Sequence, residues 1–568
     1  MFEGVNASDG IGIGTAQVAV EPDLSYTPST HQDTDEEEIA RYKSALDAFS
    51  KKTEVQADRM KVSVGESEAE IMTGHITMAS DPFMVDEITN RIKQGMCAEQ
   101  ALDEVCDMFY SMFDASDEQL IRERCADVQD IRAGIMAELL GKQLIDLSVL
   151  PEGSIIIVHD LTPSMTASID KENVAGIVTE TGGRTSHSAI IARALEIPAV
   201  LSVKDCCTSI RNGDTLVVNG TKGEVTVNPP ADELERAKKA AAASAAEKAA
   251  LEAYRGKPTE TADGDKKLLV ANIGNPDDAT GATEHDAEGV GLFRSEFLFM
   301  DAKELPSEDD QFAAYQKVAL RMKDQPVIIR TLDVGGDKEI PYLNLQKEDN
   351  PFMGFRAVRY CLNNPDQYKV QLRALLRASA FGDVKIMLPL VTCIDEVRSA
   401  KALVRECMTE LDAQDVEYNK DIEVGTMIET PAASLIADDL AKECDFFSIG
   451  TNDLIGYTMC ADRGNDRVSY LYSVYNPAVL RSIKRIVECG NDAGIMVGMC
   501  GEAAADPLLI PMLISFGLGE FSVSAPSILR TRKIISQWTK AEADSLAETV
   551  MALKTADEVK CALAAAAK

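Results

Sequence analysis

The stretch VKIMLPLV, residues 384–391, is a short apolar run that ends in a turn and is followed by a helical pattern. The same unit, an apolar strand with polar residues at its end and then a helical stretch, occurs eight times beyond Gly256. The other units are KLLVANIG (267–274), GVGLFRSE (289–296), VIIRTLDVGGD (327–337), IEVGTMIETPAA (422–433), FFSIGTNDL (446–454), IMVGMCGE (495–502) and FSVS (521–524). Eight units over roughly 300 residues predict a (β/α)8 barrel over residues 256–568, with a doubly wound open sheet as the alternative.

The segment in front of the barrel is rich in helix formers. Residues 232–254 read DELERAKKAAAASAAEKAALEAY, with acidic residues at the start and neither Gly nor Pro. This composition predicts a linker helix over residues 231–255, and a flexible low-complexity tether is the alternative.

The N-terminal part combines two kinds of sequence pattern, one helical and one typical of strands. Residues 35–144 show apolar positions at three- and four-residue spacing, whereas short β-branched runs such as GIGIGTAQVAV and SIIIVHD lie on both sides of them. The pattern predicts one α/β domain made of residues 1–30 and 145–230, with a helical subdomain, 31–144, inserted into it. The predicted fold class of the whole chain is therefore α/β.

Composition limits the possible partners and locations. The 568 residues carry a formal net charge of −36 at pH 7, which argues against nucleic acid or an anionic membrane as partner and favours a basic protein, unless the acidity serves solubility alone. No apolar run is long enough to insert into a membrane, and the N-terminus lacks the pattern of a secretory signal. The 13 cysteines have no C-x-x-C spacing and fit reduced thiols, so we expect a cytoplasmic protein.

A histidine follows a glycine-rich turn in ETGGRTSHSAIIARALEIPAV. His187 lies at the predicted start of a helix, where free backbone N–H groups and the helix dipole stabilise a phosphate on the ring. Neutral imidazole is a competent nucleophile near pH 7. A purely structural histidine remains the alternative at this point.

The predicted strand ends of the barrel carry a set of residues suited to an anionic phosphate ester. Arginines offer planar donors to phosphate and carboxylate oxygens, Asn452 can donate to a phosphate oxygen, and carboxylates can hold Mg2+. If the ester is an enol phosphate, a thiol beside these residues can protonate the enolate that remains when the phosphoryl group is lost. The residues are Arg294, Arg330, Arg463, Asn452, Glu429, Asp453 and Cys500. A structural ion pair is the alternative for each charged residue taken alone, and an inert buried thiol is the alternative for Cys500.

With these motifs, the sequence resembles Enzyme I of the bacterial phosphoenolpyruvate:sugar phosphotransferase system over essentially its whole length. The matching stretches include GGRTSHSAIIARALEIPAV, GVGLFRSEFLFMD, RTLDVGGDKE, NPFMGFRAVR, DFFSIGTNDL, DRGND and GMCGE. The resemblance implies a phosphohistidine α/β domain with an inserted helical subdomain, a linker helix and a barrel that binds phosphoenolpyruvate and forms a homodimer.

The resemblance also implies a role for each matching residue. It makes His187 the phosphorylated nucleophile and Cys500 the proton donor to the enolate, with Thr166 as the hydrogen-bonding neighbour of the histidine. It makes Glu429 and Asp453 the Mg2+ ligands. The implied substrate ligands are Arg294, Arg330, Asn452, Asp453 and Arg463, with Lys338 and Arg356 in support.

The implied reaction transfers a phosphoryl group from phosphoenolpyruvate to His187 and then to a histidine-containing phosphocarrier protein, which drives sugar uptake. Because the histidine and the arginines lie in different predicted domains, we expect the histidine domain to swing about the linker helix. The acidic surface around residues 66–81 of the helical subdomain is the expected docking surface for the basic carrier, and His75 and Met78 lie within that segment.

Two positions depart from the family pattern. Ile455 and Gly456 stand where the family usually has Thr-Gln, and Asp9 stands where Pro is common. We expect the first difference to remove polar groups beside the metal site and to alter substrate affinity or turnover.

Three alternatives have weaker support in the sequence. A pyruvate phosphate dikinase or phosphoenolpyruvate synthase carries a large nucleotide-binding domain before the histidine domain, for which these residues leave no room. The same argument applies to the nitrogen-regulatory variant with its sensory domain. A non-catalytic regulator that signals by contact is disfavoured because His187 and the arginines are present.

Overall fold

The computed structural model describes residues 1–19, 24–28, 34–63, 66–114, 119–142, 147, 150–162, 165, 169–183, 186–300, 302, 304–335, 340–343, 345–346, 348–462, 465 and 467–568. Within the helices the side chains of a few residues, His187 among them, lie outside this description. The chain divides into two compact units, Met1–Lys248 and Ala249–Lys568.

The first unit contains a mixed sheet of eight strands in the order β1-β8-β7-β3-β4-β5-β6-β2. The strands are β1 (Phe2–Glu3), β2 (Val5–Ser8), β3 (Ile11–Val18), β4 (Ser154–Val158), β5 (Val174–Thr179), β6 (Ala199–Leu201), β7 (Thr215–Asn219) and β8 (Glu224–Val227). Strand β4, SIIIV, is buried at every position. Its alternate residues enter two different apolar clusters, which shows that both faces of the sheet are covered.

A helical block separates two neighbouring parallel strands of this sheet. Strand β3 pairs with β4 from Thr15↔Ser154 to Val18↔Ile157, and the chain between them forms the block. In the helix Pro82–Ile92 the residues Met84, Ile88 and Ile92 are buried at four-residue spacing, and the Asp81 side chain caps its first turn by accepting from the Phe83 N–H at 2.8 Å. The predicted insertion of a helical subdomain into an α/β domain is thus confirmed.

The helices of this half begin with the five of the helical block, and the linker helix comes last. They are Asp35–Ser63, Glu66–Ala79, Pro82–Ile92, Ala98–Asp114, Gln119–Leu140, His187–Ala194, Cys206–Ser209 and Ala231–Glu252. No helix in the described part of the chain has the length and apolarity that a membrane crossing requires.

The second unit is a closed barrel of eight parallel strands, each paired with the next, with the last strand paired to the first. They are β9 (Leu268–Ile273), β10 (Val290–Arg294), β11 (Val327–Arg330), β12 (Val384–Leu388), β13 (Val424–Ile428), β14 (Phe446–Ile449), β15 (Met496–Met499) and β16 (Glu520–Ser524). The predicted strand count and the barrel are confirmed, and the open-sheet alternative is wrong.

Amphipathic helices surround the barrel. The helix Pro477–Ala493 buries Val479, Leu480, Ile483, Ile486, Val487 and Gly490 along one face, and Gly494 ends it at a φ of +76°. The α-helices of this unit are Asp278–Glu284, Glu296–Met300, Glu308–Met322, Val358–Asn363, Pro365–Ala378, Ile394–Ala413, Pro431–Leu435, Ala437–Leu440, Thr451–Met459, Pro477–Ala493, Ile510–Phe516, Ile528–Ser536, Lys540–Met551 and Ala556–Ala566.

A buried carboxylate lies at the start of β16. Phe521 and Val523 pack outward against the main barrel core, so strand alternation directs Glu520 into the barrel. Its Oε1 atom has no hydrogen-bond partner among the described residues. Burial raises the pKa of Glu520 from 4.5 to about 7, and Lys385 opposes this shift.

This raised pKa makes the stability of the barrel depend on pH. Between 4.5 and about 7 the folded protein binds the Glu520 proton more tightly than the unfolded chain, so stability falls as pH rises through this window. Glu520→Gln is expected to reduce the slope and to stabilise the barrel by on the order of 3 kcal/mol at about pH 8. Urea unfolding followed by Trp538, the only tryptophan and a barrel core residue, measures the effect.

The matched control for this prediction is Glu548→Gln, because Glu548 is an exposed residue of the same unit. It is expected to leave the pH slope unchanged. A Glu520→Gln variant that retained the wild-type slope between pH about 5 and about 8 would show that Glu520 is not its source.

Candidate active site at the barrel mouth

The residues singled out in the barrel lie at the carboxyl ends of successive strands. Arg294 ends β10 and Arg330 ends β11. Glu429 directly follows β13, Asp453 lies in the first turn of the helix after β14, and Cys500 directly follows β15. Parallel strands place such residues at one mouth of the barrel, where active sites of this fold are found.

Glu296 joins two of the arginines. Its Oε1 atom accepts from Arg294 Nε at 3.1 Å and from Arg330 Nη2 at 2.5 Å. The Glu296 side chain is fully buried, whereas 39 % of the Arg294 side chain is exposed. The carboxylate therefore positions both guanidinium groups, and it leaves Arg294 accessible from the mouth.

A second carboxylate extends the ion-pair network to the next arginine. Asp333 Oδ2 forms an ion pair with Arg330 Nη1 at 3.1 Å, and Asp333 Oδ1 accepts from Arg356 Nη2 at 2.8 Å. Arg356 Nη2 also donates to Asp453 Oδ2 at 3.3 Å. Arg330 and Arg356 are almost fully buried, yet within the described part of the chain their Nε atoms have no hydrogen-bond partner. Buried donors of this kind are costly unless a ligand accepts from them.

The acidic residues of the mouth repel one another. The Glu429 carboxylate is buried and accepts from the Leu390 N–H at 2.6 Å. Burial raises the pKa of Glu429, and the nearby Asp453 and Asp333 raise it further against the opposing effect of Arg330 and Arg356. A divalent cation would relieve this repulsion, and carboxylate oxygens are the donors that hard cations prefer, so the chemistry of Glu429 and Asp453 is suited to a divalent cation.

The thiol of Cys500 lies above an apolar barrel interior. It donates to the Ile449 carbonyl over 3.7 Å and belongs to a buried cluster with Leu292, Ile328, Met387, Met427 and Phe446. Burial raises the pKa of Cys500 to about 11, although Ser448 and Arg330 lower it. The thiol is thus protonated at neutral pH.

The remaining sequence candidates are only partly described. Asn452 lies beside Asp453 and accepts at its backbone carbonyl from Tyr472 Oη at 2.9 Å. Thr166, Lys338 and Arg463 lie outside the described residues.

His187 begins a helix, as the sequence predicts. The helix His187–Ala194 has Ser186 as its N-cap, with Ser186 Oγ accepting from the Ala189 N–H at 3.4 Å. Ser188 Oγ donates to Asp160 Oδ1 at 3.0 Å, which ties this first turn to the loop after β4. The backbone of His187 is therefore at a helix N-terminus, and its side chain lies outside the description.

The surroundings of Ile455 and Gly456, the two residues that depart from the usual family pattern, are not those that we expected beside the metal site. Ile455 is 5 % exposed and packs in the main barrel core, not among the carboxylates. A Cβ at Gly456 would meet only the Ala461 carbonyl at 3.4 Å and the Tyr472 ring at 3.8 Å. Tyr457 is the residue of this turn that faces the site, because its Oη lies 3.4 Å from Arg356 Nη1.

Sequence reasoning missed Glu296, Asp333 and Tyr457. The first two follow an arginine already chosen, by two and three residues, and both occur in the motifs that suggested those arginines. A carboxylate so close in sequence to a strand-end arginine was the available signal. Nothing local indicated that Tyr457 would reach Arg356.

Comparisons with known proteins cover both units. The chain matches the family described as PEP-utilising enzyme, N-terminal, over residues 3–124 and the PEP-utilising enzyme, mobile domain, over 150–223. Residues 248–540 match the PEP-utilising enzyme, PEP-binding domain. The barrel-mouth site lies within this last match.

Individual relatives agree with these matches. The chain is 47 % identical over 559 residues to a phosphoenolpyruvate-protein phosphotransferase of Bacillus sp. (strain S), covering 98 % of this chain and 96 % of the relative. The protein of the same name from Bacillus subtilis (strain 168) is 44 % identical over 559 residues, with 98 % of each chain covered.

A solved structure also matches: a solution structure of Enzyme I (nEIt) is 35 % identical with a TM-score of 0.40, covering 43 % of this chain and 99 % of that one. These two relatives are 47 % and 44 % identical to the chain over almost its whole length, and the three domain matches agree with them on the family. The chain belongs to the Enzyme I family of phosphoenolpyruvate-utilising enzymes, the phosphoenolpyruvate-protein phosphotransferases.

Proposed function

We propose that this protein transfers the phosphoryl group of phosphoenolpyruvate to its own His187 and then to a histidine-containing phosphocarrier protein that serves sugar uptake. The observation that carries the proposal is the barrel mouth, where arginines held by buried carboxylates lie beside a pair of acidic residues suited to a metal. Relatives of near-identical length bear the name of this activity.

The substrate carries a phosphate and a carboxylate, and the proposed ligands match both. Arg294 and Arg330 present planar donors at adjacent strand ends, and the buried Arg330 Nε is a donor available to a substrate oxygen. The proposal adds Asn452, Asp453 and Arg463 to this set, with Lys338 and Arg356 in support. Arg356 supports it by bridging Asp333 and Asp453.

Glu429 and Asp453 are the proposed Mg2+ ligands. When bound, the ion supplies Lewis-acid neutralisation of the phosphate charge. The protein's own part is to orient two carboxylates of one site: the Leu390 N–H donates to Glu429, and Arg356 donates to Asp453.

Two residues carry the proposed reaction: His187 accepts the phosphoryl group, and Cys500 donates a proton to the enolate. A neutral His187 nitrogen forms a bond to phosphorus while the bond from phosphorus to the enol oxygen breaks, and the electron pair remains on that oxygen. Thr166 is the proposed hydrogen-bonding neighbour of the ring. Cys500 then donates its proton to C3 of the enolate, which yields pyruvate, and the thiolate takes a proton from solvent.

The second transfer requires a protein acceptor. We propose that the helical subdomain docks the carrier around residues 66–81, because the net charge of −36 favours a basic partner. The proposal further includes a homodimer formed through the barrel, a cytoplasmic location and domain limits of 1–30 with 145–230, 31–144, 231–255 and 256–568.

Labelling with phosphoenolpyruvate tests this function directly. We expect the full chain with Mg2+ and [32P]phosphoenolpyruvate to acquire acid-labile, base-stable label, and His187→Ala to acquire none. His285→Ala is the matched control, because His285 bonds the Gly281 carbonyl at 2.8 Å in the barrel unit and is expected to leave labelling intact.

Two results contradict the proposal. Label that persists in His187→Ala assigns the phosphohistidine elsewhere. Label supplied equally well by ATP indicates a dikinase instead of a phosphoenolpyruvate-specific enzyme.

A further inference from the structure

Three metal-ligating side chains meet in the first unit, and none of them belongs to the barrel-mouth site. The ligand atoms of Glu180, Cys206 and Cys207 all lie within 4.8 Å of one another. Glu180 directly follows β5, and the two cysteines begin the short helix Cys206–Ser209. Cys206 is fully buried and the other two are half-buried, so the group is partly shielded from water but reachable.

The carboxylate of this group is already oriented by its neighbours. Glu180 Oε1 accepts from the Cys207 N–H at 2.9 Å, and Glu180 Oε2 lies 2.9 Å from His159 Nδ1. The backbone N–H groups of Glu180 and Thr181 also donate to the His159 carbonyl, at 3.1 Å each. Ligating carboxylates in metal sites are characteristically held by such outer hydrogen bonds.

The donor set differs in kind from that of the barrel mouth. Two sulfur atoms and one carboxylate oxygen suit Zn2+ and similar thiophilic cations, which take Cys, His and carboxylate ligands in tetrahedral sites. Mg2+ prefers an all-oxygen octahedral shell and binds thiols poorly. The two proposed sites therefore select different metals.

We propose that Glu180, Cys206 and Cys207 bind one thiophilic divalent cation of the Zn2+ class, with the fourth coordination position open to solvent. Both thiols lose their protons to solvent when the cation binds. His159 is a positioning residue that holds the carboxylate. The site would connect two segments of the first unit. One is the chain after β5, which leads on to His187, and the other is the helix Cys206–Ser209.

Cobalt titration tests the site without reference to phosphoryl transfer. The full chain, kept reduced and metal-free, is titrated with Co2+ while the sulfur-to-cobalt charge-transfer absorption is recorded. We expect one equivalent to bind with a band that Zn2+ abolishes and excess Mg2+ leaves unchanged. Cys206→Ser and Cys207→Ser are each expected to halve the band and to weaken binding by at least tenfold.

Two further variants separate ligands from bystanders. Cys393→Ser, at an exposed thiol of the barrel unit, is the control and is expected to change nothing. His159→Ala is expected to keep the band but to weaken binding by about 10- to 100-fold. Since Cys207 is only half-buried, Cys207→Ser provides the test if Cys206→Ser does not fold, as judged by circular dichroism.

The proposal is overturned by three results. These are the absence of a charge-transfer band, a band that survives in the Cys206→Ser/Cys207→Ser double variant, and displacement of Co2+ by Mg2+. None of them bears on the labelling of His187.

Discussion

Arg330→Met is expected to lower kcat/KM for phosphoenolpyruvate-dependent phosphorylation by about 10²- to 10³-fold, the usual effect of removing a charged donor from a preorganised site. Arg330 is buried at the end of β11 and is held by Glu296 and Asp333. Its loss leaves two buried carboxylates without this partner, which costs about 3–5 kcal/mol of stability. Initial rates of phosphorylation across phosphoenolpyruvate concentrations measure the first effect, and urea unfolding followed by Trp538 measures the second.

Arg330→Lys keeps the test decisive if the methionine variant unfolds. Lysine retains the positive charge but lacks the planar fork, so we expect a properly folded variant with at least about a tenfold loss in kcat/KM. Arg398→Met is the matched control. Arg398 lies on the helix Ile394–Ala413 with 61 % of its side chain exposed, and it forms a surface ion pair with Glu443. Wild-type kcat/KM in Arg330→Lys would remove Arg330 from the substrate site.

Cys500→Ser is expected to reduce steady-state pyruvate formation by about 10²- to 10⁴-fold, the range attributed to a positioned general acid. A hydroxyl is a far weaker acid than the thiol that it replaces. Because the pKa of Cys500 is raised to about 11, the thiol remains protonated at neutral and mildly alkaline pH. Activity that depends on this proton is therefore expected to persist as pH rises and to be lost only near and above pH 11.

Deuterium exchange distinguishes proton transfer from a packing defect. In D2O the phosphorylated enzyme is expected to exchange the methyl hydrogens of pyruvate through the reverse proton transfer, and Cys500→Ser is expected to abolish this exchange. Cys407→Ser is the matched control, because Cys407 is also buried and donates to a backbone carbonyl, that of Lys369, at 3.8 Å. Exchange at the wild-type rate in Cys500→Ser would assign the proton to another donor.

Much of the architecture can be predicted from local sequence patterns. The runs that became β9 to β16 are almost continuously apolar because both sides of a barrel strand are buried, and their number predicted the barrel. The β-branched runs on either side of a helical pattern likewise predicted one α/β domain with a helical insertion, and β3 does pair with β4 across that insertion. Such signals are readable because strand and helix periodicities depend on residues close in the chain.

Only some of the residues of the barrel-mouth site could be predicted from local patterns. Polar residues directly after predicted strands indicated Arg294, Arg330, Glu429, Asp453 and Cys500, since parallel strands end at a common mouth. The carboxylates that hold the arginines were missed, because a motif does not reveal which side chain a guanidinium will contact. The position of Ile455 in the core was also misjudged, since the face of a helix turn depends on what packs against it.

By itself, the sequence determined the α/β class, the eight strands, the inserted helices and the residue types available to bind a phosphate ester. Only the tertiary structure decided that β16 closes on β9, that Glu296 and Asp333 connect three arginines, that burial keeps Cys500 protonated, and that Glu180 meets Cys206 and Cys207. The reason is physical: periodicity and turn chemistry act over a few residues, whereas contacts, burial and pKa values depend on segments that are distant in the chain and meet only on folding.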